Sequence, residues 1–295
     1  MHFRTRGEKI FNVFNYTFII LVCLLCALPI IHILAVSFSS PQYVMGGRVT
    51  FWPMGFTIEP YTFAFRSGRF MTAFWVSIQR AVLGVGINMI LMITVAYPLA
   101  KTTQQFSARN YYMAFFAITM IFGGGIIPFY ILIVNLGMLD TIWSLVVPGG
   151  LPVFSMIILM NFIRGLPKEL EEAALIDGAG YFTTLLRVIL PVLKPALATV
   201  ALFSFVFHWN EWLLGMLFMN NPSNYPLQTY LQTLLVNFRD LMRAMGPEFM
   251  QIIARLNERS GRAAQLFLGM LPILVVYPFL QKYFTKGLII GSVKG

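Results

Sequence analysis

Residues 172–191 read EAALIDGAGYFTTLLRVILP, a polar segment rich in small residues that lies between long apolar stretches. It is too polar to lie in the hydrocarbon of a membrane. Pro167 and the glutamates after it are typical of a helix start, because a fixed φ and negative charge suit the exposed amides and the positive end of the helix dipole. Gly178 breaks this helix, and residues 181–190 form a second short helix that Pro191 ends. The segment therefore predicts a bent pair of short helices outside the membrane.

The chain as a whole has the composition of a membrane protein. Of its 295 residues, 58% are hydrophobic and 11% are charged, and the mean hydropathy is +0.75, which is too apolar for an ordinary soluble domain. Because about 20 apolar residues cross ~30 Å of hydrocarbon, we expect an all-α membrane protein with six transmembrane helices in a single domain, residues 1–295. The predicted spans are about 12–36, 71–99, 110–134, 141–163, 195–219 and 263–281, with outer loops at 37–70 and 220–262 and the polar loop at 165–191.

Basic residues orient these spans, because cytoplasmic flanks and short loops collect Lys and Arg. The two termini and the loops at 100–109 and 164–194 hold twelve Lys and Arg, including all seven lysines. The opposite side holds eight basic residues, and all of them are arginines: Arg48, Arg66, Arg69, Arg239, Arg243, Arg255, Arg259 and Arg262. The bias predicts that both termini and the polar segment are cytoplasmic. The net charge of +10 is then a signal of topology, and no nucleic-acid partner is expected.

The polar segment resembles the EAA loop of ABC importer permeases. It shares with that pattern Glu172-Ala173-Ala174, Gly178 at the fixed spacing and the pair Leu190-Pro191, with Val188 where the family usually has Ile. In the family, this loop is a coupling helix that sits in a cleft of a separate cytoplasmic ATPase and transmits its closure. The resemblance implies a type I ABC importer permease fold with a cytoplasmic EAA coupling helix. The implied ATPase-coupling residues are Glu171, Glu172, Ala173, Ala174, Asp177, Gly178, Leu190 and Pro191.

The C-terminal sequence narrows the class of permease. Residues 287–295 read GLIIGSVKG and resemble the ending of carbohydrate permeases similar to the second membrane subunit of the maltose importer. In that relative, the tail enters the interface between the two ATPase subunits. The residues that this resemblance assigns to such an interface are Gly291, Ser292, Val293, Lys294 and Gly295. The run at 271–278, LPILVVYP, resembles the LplC/YtcP-type permeases, a subgroup often associated with polysaccharide fragments.

Residues 207–212 read FHWNEW and resemble the W-N-[ED]-aromatic signature of sugar permeases. Asn210 and Glu211 are costly in hydrocarbon, so we expect them to face the bundle interior or a watery cavity. Trp209 and Trp212 are three residues apart and should share a helix face on which sugars could stack. An aromatic belt at the outer interface is the alternative, and snorkelling is the alternative for Arg80. The substrate-path candidates are Arg80, His208, Trp209, Asn210, Glu211 and Trp212.

The chain contains no G-x-x-x-x-G-K-[ST] sequence, so ATP and Mg²⁺ would be bound by a partner ATPase. We expect no catalytic residue, metal site or cofactor in this chain. The predicted function is that of a permease subunit that imports oligosaccharide across a bacterial inner membrane. The implied partners are a second permease subunit in a heterodimer, two ATPase subunits, an extracytoplasmic solute-binding protein and membrane lipid.

The nature of the substrate is a separate hypothesis. Because guanidinium groups suit carboxylates, the arginines of the outer side favour an acidic oligosaccharide such as an alginate or pectin fragment. Two alternatives stay open at this point. One is an importer permease for a solute other than sugar, and the other is an ion-coupled secondary transporter, which would need intramembrane carboxylates such as Glu211.

Overall fold

The computed structural model describes residues 6–66, 68–233 and 258–292. Helices dominate these residues, and the isolated β-bridge among them pairs Ser39 with Phe56. The helices are α1 (Arg6–Ser37), α2 (Pro41–Met45), α3 (Glu59–Arg66), α4 (Arg69–Ala100), α5 (Arg109–Ile121), α6 (Ile126–Asn135), α7 (Trp143–Val146), α8 (Val153–Arg164), α9 (Glu169–Ile176), α10 (Tyr181–Thr184), a π-helix (Leu185–Ile189), α11 (Leu190–Val192), α12 (Lys194–Asn210), α13 (Leu213–Phe218), a 3₁₀ turn (Pro222–Asn224) and α14 (Glu258–Ser292). Residues 227–233 are also helical.

Three described helices are long and apolar enough to cross a membrane, at Gly7–Ser37, Arg69–Ala100 and Arg259–Pro278. Two further candidates are pairs of helices with a sharp bend. The bend between α5 and α6 is 112°, and the bend between Tyr181–Val192 and α12 is 85°. The predicted span at 141–163 contains the short helices α7 and α8 with a break between them. The all-helical membrane fold is confirmed, whereas the number six stays a prediction.

The chain divides into two compact units, Met1–Met71 with Thr233–Leu271 and Thr72–Gln232 with Pro272–Gly295. In the first unit, the end of α1 is fixed to the loop that follows it. Ser40 N donates to Gly55 O over 3.0 Å, and Thr57 N donates to Phe38 O over 3.0 Å. The Phe38 ring stacks on the rings of Phe56 and Tyr61 with centroid distances of 5.4 and 4.7 Å.

The second unit has the larger core, in which α4, α8 and α12 pack together with the π-helix. Met92 and Ala96 of α4, Met156 and Leu159 of α8, and Val200 of α12 are each fully buried. All of these side chains are apolar, and burying a large one stabilises the fold by ~1.5–3 kcal/mol. The core therefore fixes α4 against the elements on both sides of the polar segment.

The polar segment forms the bent helix pair that its sequence predicts, with one correction. Helix α9 begins at Glu169, directly after Pro167 and Lys168, and ends before Gly178, whose φ of 83° closes the turn. Gly178 N donates to Leu175 O over 3.0 Å, which satisfies a carbonyl left free at the helix end. The prediction that Pro191 ends the second helix is wrong, because α11 continues through Pro191 to Val192. A π-helix at Leu185–Ile189 precedes the proline, and its wider turn accommodates the missing amide and the ring.

Candidate functional site

The polar segment exposes an apolar surface. Ile176 is 85% exposed, Phe182 is 68% exposed and Tyr181 is 58% exposed. Glu172 and Ala173 are exposed beside them on α9. Large apolar side chains on a polar loop are typical of a surface that binds another protein. We call Glu172, Ala173, Ile176, Tyr181 and Phe182 the knob surface.

The other predicted coupling residues are divided between this surface and the interior. Ala174 is 8% exposed and packs inward, Leu190 is half-buried, and Asp177, Gly178 and Pro191 are exposed. Glu171 is half-buried, and its Oε1 accepts hydrogen bonds from the Tyr97 hydroxyl and from Lys101 Nζ. Two adjacent glutamates thus point to different surroundings, Glu171 towards the end of α4 and Glu172 towards solvent.

The predicted fifth span breaks in the middle of its sugar-permease signature. Helix α12 ends at Asn210, Glu211 adopts an extended conformation, and α13 begins at Leu213. Arg80 of α4 holds the break by two hydrogen bonds, from Nη1 to Glu211 O over 2.7 Å and from Nη2 to Glu211 Oε2 over 2.8 Å. The other carboxylate oxygen of Glu211 accepts from Leu214 N over 2.8 Å and caps α13. Arg80 is 0% exposed, so it does not snorkel to an interface.

The two tryptophans do not share a face, so that part of the prediction is wrong. Trp209 is 2% exposed, and its ring lies 5.8 Å from the ring centroids of both Phe74 and Phe205. Trp212 lies beyond the end of α12 and is 40% exposed. The two tryptophans point in different directions because α12 ends at Asn210, between them, and helical spacing no longer applies. Asn210 itself is exposed. Asn210 and Trp212 are therefore the signature residues that reach open space.

His208 packs beside a buried polar cluster between α4 and α12. The Asn88 amide, oriented to satisfy its neighbours, accepts a hydrogen bond from the Ser204 hydroxyl over 2.8 Å. It donates to the carbonyls of Gly84, Gly149 and Gly150 at 3.1, 3.0 and 3.0 Å. The His208 ring packs so closely on α4 that a Cβ atom at Gly84 would lie 2.4 Å from Nε2. His208 is thus a packing residue in this arrangement.

Sequence reasoning missed Asn88, Tyr97 and Lys101. The contacts of Asn88 with Ser204 and of Tyr97 and Lys101 with Glu171 join residues 116, 74 and 70 positions apart, so no local spacing could indicate them. The polar residue Asn88 in an apolar span was the available signal, because such residues find partners inside the bundle. Of the predicted tail, Gly291 and Ser292 lie in α14, and Val293, Lys294 and Gly295 lie outside the described residues. Among the described residues, no group of three or more His, Cys, Asp or Glu could hold a metal ion.

Comparison with known proteins decides the family. The family model described as "Binding-protein-dependent transport system inner membrane component" matches residues 1–290. The chain belongs to this family. It is 37% identical over 295 residues to protein LplC of Bacillus subtilis, with 100% of this chain and 98% of the relative covered.

A second relative and a solved structure agree with this assignment. The polygalacturonan/rhamnogalacturonan transport system permease protein YtcP of Bacillus subtilis is 32% identical over 288 residues, covering 98% of this chain and 99% of the relative. A crystal structure of a bacterial ABC transporter involved in the import of the acidic polysaccharide alginate contains a chain with a TM-score of 0.87 and 29% identity. That match covers 96% of this chain and 100% of the other. The predicted resemblance to LplC/YtcP-type carbohydrate permeases is confirmed, and the chain is an ABC importer permease.

Proposed function

We propose that this permease imports an acidic oligosaccharide, with the knob surface as its contact with a cytoplasmic ATPase. The knob surface carries the part of the proposal that concerns the ATPase. The described residues of this chain leave these apolar side chains exposed on both sides of the bend. Glu172 beside them adds a charge that a basic partner would pair. A permease of this family works with an ATPase, so that protein is the occupant of the surface.

The proposed assembly contains one further permease subunit, two ATPase subunits and a solute-binding protein. This chain is the non-catalytic membrane subunit, and ATP and Mg²⁺ are bound by the ATPase. Both termini and the knob surface are cytoplasmic in this proposal, which the distribution of lysines supports. ATP-driven closure of the ATPase moves the coupling helix, and the bundle opens alternately to the two sides.

The substrate assignment is supported by chemistry and by the relatives. YtcP is named for polygalacturonan and rhamnogalacturonan, and the structural neighbour is involved in the import of alginate. In the first unit, a cavity of about 460 Å³ is lined by His32, Arg259 and Arg262 together with apolar side chains. Guanidinium groups in such a lining suit carboxylates of a uronate or of the binding protein. Of the eight arginines on the proposed outer side, Arg239, Arg243 and Arg255 lie outside the described residues.

Within the proposed path, the structure divides the candidate residues by exposure. Asn210 and Trp212 are exposed at the break between α12 and α13, and they would meet the sugar by a hydrogen bond and by ring stacking. Arg80 and Glu211 hold the break, whereas Trp209 and His208 pack behind it. An ion-coupled transporter is not favoured, because the Glu211 carboxylate is already paired with Arg80.

Two measurements test the proposal. Ile176→Glu and Phe182→Glu should abolish co-purification of the ATPase with the permease, because each places a charge in an apolar contact. Ile58→Glu, which changes a residue 55% exposed in the proposed outer loop, is the matched control and should retain the ATPase.

Uptake into proteoliposomes that hold the full assembly should favour oligouronates over neutral oligosaccharides of equal length. A preference for neutral sugars contradicts the acidic substrate, and retention of the ATPase by both knob variants contradicts the docking role.

A further inference from the structure

The end of α4 nearest the polar segment is a meeting point for three other elements. The carbonyl of Leu99 accepts hydrogen bonds from Arg109 Nε of α5 and from Arg164 Nη2 of α8, each over 2.9 Å. The last carbonyls of a helix lack partners within the helix and lie at the negative end of its dipole. Two guanidinium groups therefore stabilise this end and fix α4 to its neighbours.

Lys101 connects the same end of α4 to the coupling helix. Its Nζ atom forms an ion pair with Glu171, and it lies 4.0 Å from the ring centroid of Tyr97 and 5.8 Å from that of Tyr181. The Tyr97 hydroxyl donates to the same Glu171 oxygen over 3.1 Å. The Lys101 and Glu171 side chains are 10% and 20% exposed, so this pair is less screened by solvent than a surface pair.

We infer that Tyr97, Lys101 and Glu171 form a latch that makes α4 move together with the coupling helix. This inference rests on the proposed function, in which the knob surface receives the motion of the ATPase. Glu172 belongs to the surface that meets the ATPase, whereas Glu171 transfers the motion into the membrane domain. Tyr97 and Lys101 lie outside the EAA pattern, and they act through Glu171 as positioning residues.

The position of the latch on α4 gives it a specific target. Arg80 lies on α4, 21 residues before Lys101, which directly follows the last residue of that helix; at the rise of an α-helix this separation is about 30 Å. Arg80 holds the break beside Asn210 and Trp212. A shift of α4 at the latch therefore reaches the proposed sugar path through one continuous helix and one ion pair.

Charge-exchange variants test the latch in the reconstituted full assembly, with ATP hydrolysis and uptake measured on the same proteoliposomes. Lys101→Met should leave the ATPase bound and hydrolysing ATP but lower uptake per ATP by about tenfold. Coupling between two sites typically changes affinity by a factor of ~5–150, and a tenfold loss lies within that range. Tyr97→Phe, which removes one hydrogen bond, should lower it less. The Lys101→Glu/Glu171→Lys double variant should recover part of the uptake that each single exchange loses, which a purely local packing role would not predict.

The matched control is Lys168→Met, which removes an exposed lysine one residue before α9 and should keep the wild-type uptake per ATP. The inferred role of the latch is contradicted if the wild-type assembly transports and Lys101→Met keeps the wild-type uptake per ATP. It is also wrong if the charge-exchanged pair transports no better than its single variants. A wild-type assembly that binds no ATPase or shows no ATP-driven uptake overturns the proposed function itself, and the latch with it.

Discussion

Arg80 and Glu211 form a buried ion pair between residues that are 131 positions apart. Removing charges from water costs several kcal/mol per ion, which a pair recovers only when further hydrogen bonds satisfy its atoms. Here the guanidinium also binds the Glu211 carbonyl, and the carboxylate also caps α13. Because the contacts fix a helix break and the side chains beside it, we infer that the main role of this pair is to specify one conformation.

Breaking the pair from one side should destabilise the permease. Arg80→Met leaves a buried carboxylate unpaired and should cost about 3–5 kcal/mol, which thermal unfolding of the purified permease in detergent would show as a lower Tm. The Arg80→Met/Glu211→Met double variant should unfold closer to the wild type, because no buried charge is left. Arg66→Met, at an exposed arginine, is the control. A single variant with the wild-type Tm contradicts this account of the pair.

Gly84 and Gly86 provide a second test on one helix. A Cβ atom at Gly84 would lie 2.4 to 2.5 Å from three atoms of the His208 ring, whereas one at Gly86 would meet nothing within 4 Å. Gly84→Ala should therefore separate α4 from α12 and destabilise the fold by ~1–3 kcal/mol, the usual cost of overpacking. Gly86→Ala should be neutral or stabilising by up to ~1 kcal/mol, because alanine favours helix.

Thermal unfolding of both glycine variants checks this prediction. The Gly84→Ala/His208→Ala double variant should recover part of the lost stability, because the ring that clashes is gone. Equal melting temperatures for Gly84→Ala and Gly86→Ala would show that the close contact of His208 with α4 is not maintained in the protein.

At the scale of elements, local signals predicted helices well and their contacts poorly. Pro167 and the following glutamates indicated where α9 begins, and Gly178 indicated where it ends, because each acts on the backbone next to it. The break at Glu211 has no Gly or Pro to announce it. It depends on Arg80, a partner from another helix, so the predicted common face of Trp209 and Trp212 was wrong for a tertiary reason.

The connection between α6 and α7 shows a similar dependence on a distant loop. Asp140 has a φ of 58°, and its carboxylate accepts hydrogen bonds from Asn220 N and Asn221 N over 3.2 Å and from Asn224 Nδ2 over 3.0 Å. These bonds, with that of the Asn224 side chain first, lower the pKa of Asp140 below its usual value. The charged carboxylate therefore holds the 220–224 loop.

Replacing Asp140 should release that loop. Asp140→Ala should increase hydrogen–deuterium exchange at the amides of Asn220 and Asn221, and Asp140→Asn should have a smaller effect, because asparagine tolerates positive φ and keeps a neutral acceptor. Mass spectrometry of the peptide containing them measures this, with the 102–106 turn as an internal control.

The same contact should depend on pH in one direction. Because the folded pKa of Asp140 is lowered, its contribution is fully present above the pKa of an unfolded aspartate and is lost as the pH falls through the lower folded value. Exchange at Asn220 and Asn221, corrected for the intrinsic rate, should therefore increase only under strongly acidic conditions. In Asp140→Ala the corrected exchange should show no such acid-dependent increase.

At the scale of the whole molecule, composition and motifs predicted the class of protein, but they did not predict where its helices bend or break. The EAA pattern and the apolar stretches were sufficient for a permease, since both are read from consecutive residues. The sharp bends at α5–α6 and before α12, and the short α8, could not be read in this way. At the break before α8, Asn88 of α4 donates to the carbonyls of Gly149 and Gly150, a tertiary contact that no run of consecutive residues shows.

The proposed orientation of the whole molecule can be tested with single cysteines. The native Cys23 and Cys26 lie on the apolar helix α1, and replacing both with alanine gives a background without thiols. Thr103→Cys and Ser223→Cys then place one thiol in each of two exposed loops. If the loop at 100–109 is cytoplasmic, a membrane-impermeant maleimide should label Ser223→Cys on intact spheroplasts and should label Thr103→Cys only after permeabilisation. The reverse pattern would place the knob surface outside, away from any cytoplasmic ATPase, because Lys101 and Glu171 hold the two loops together on one side.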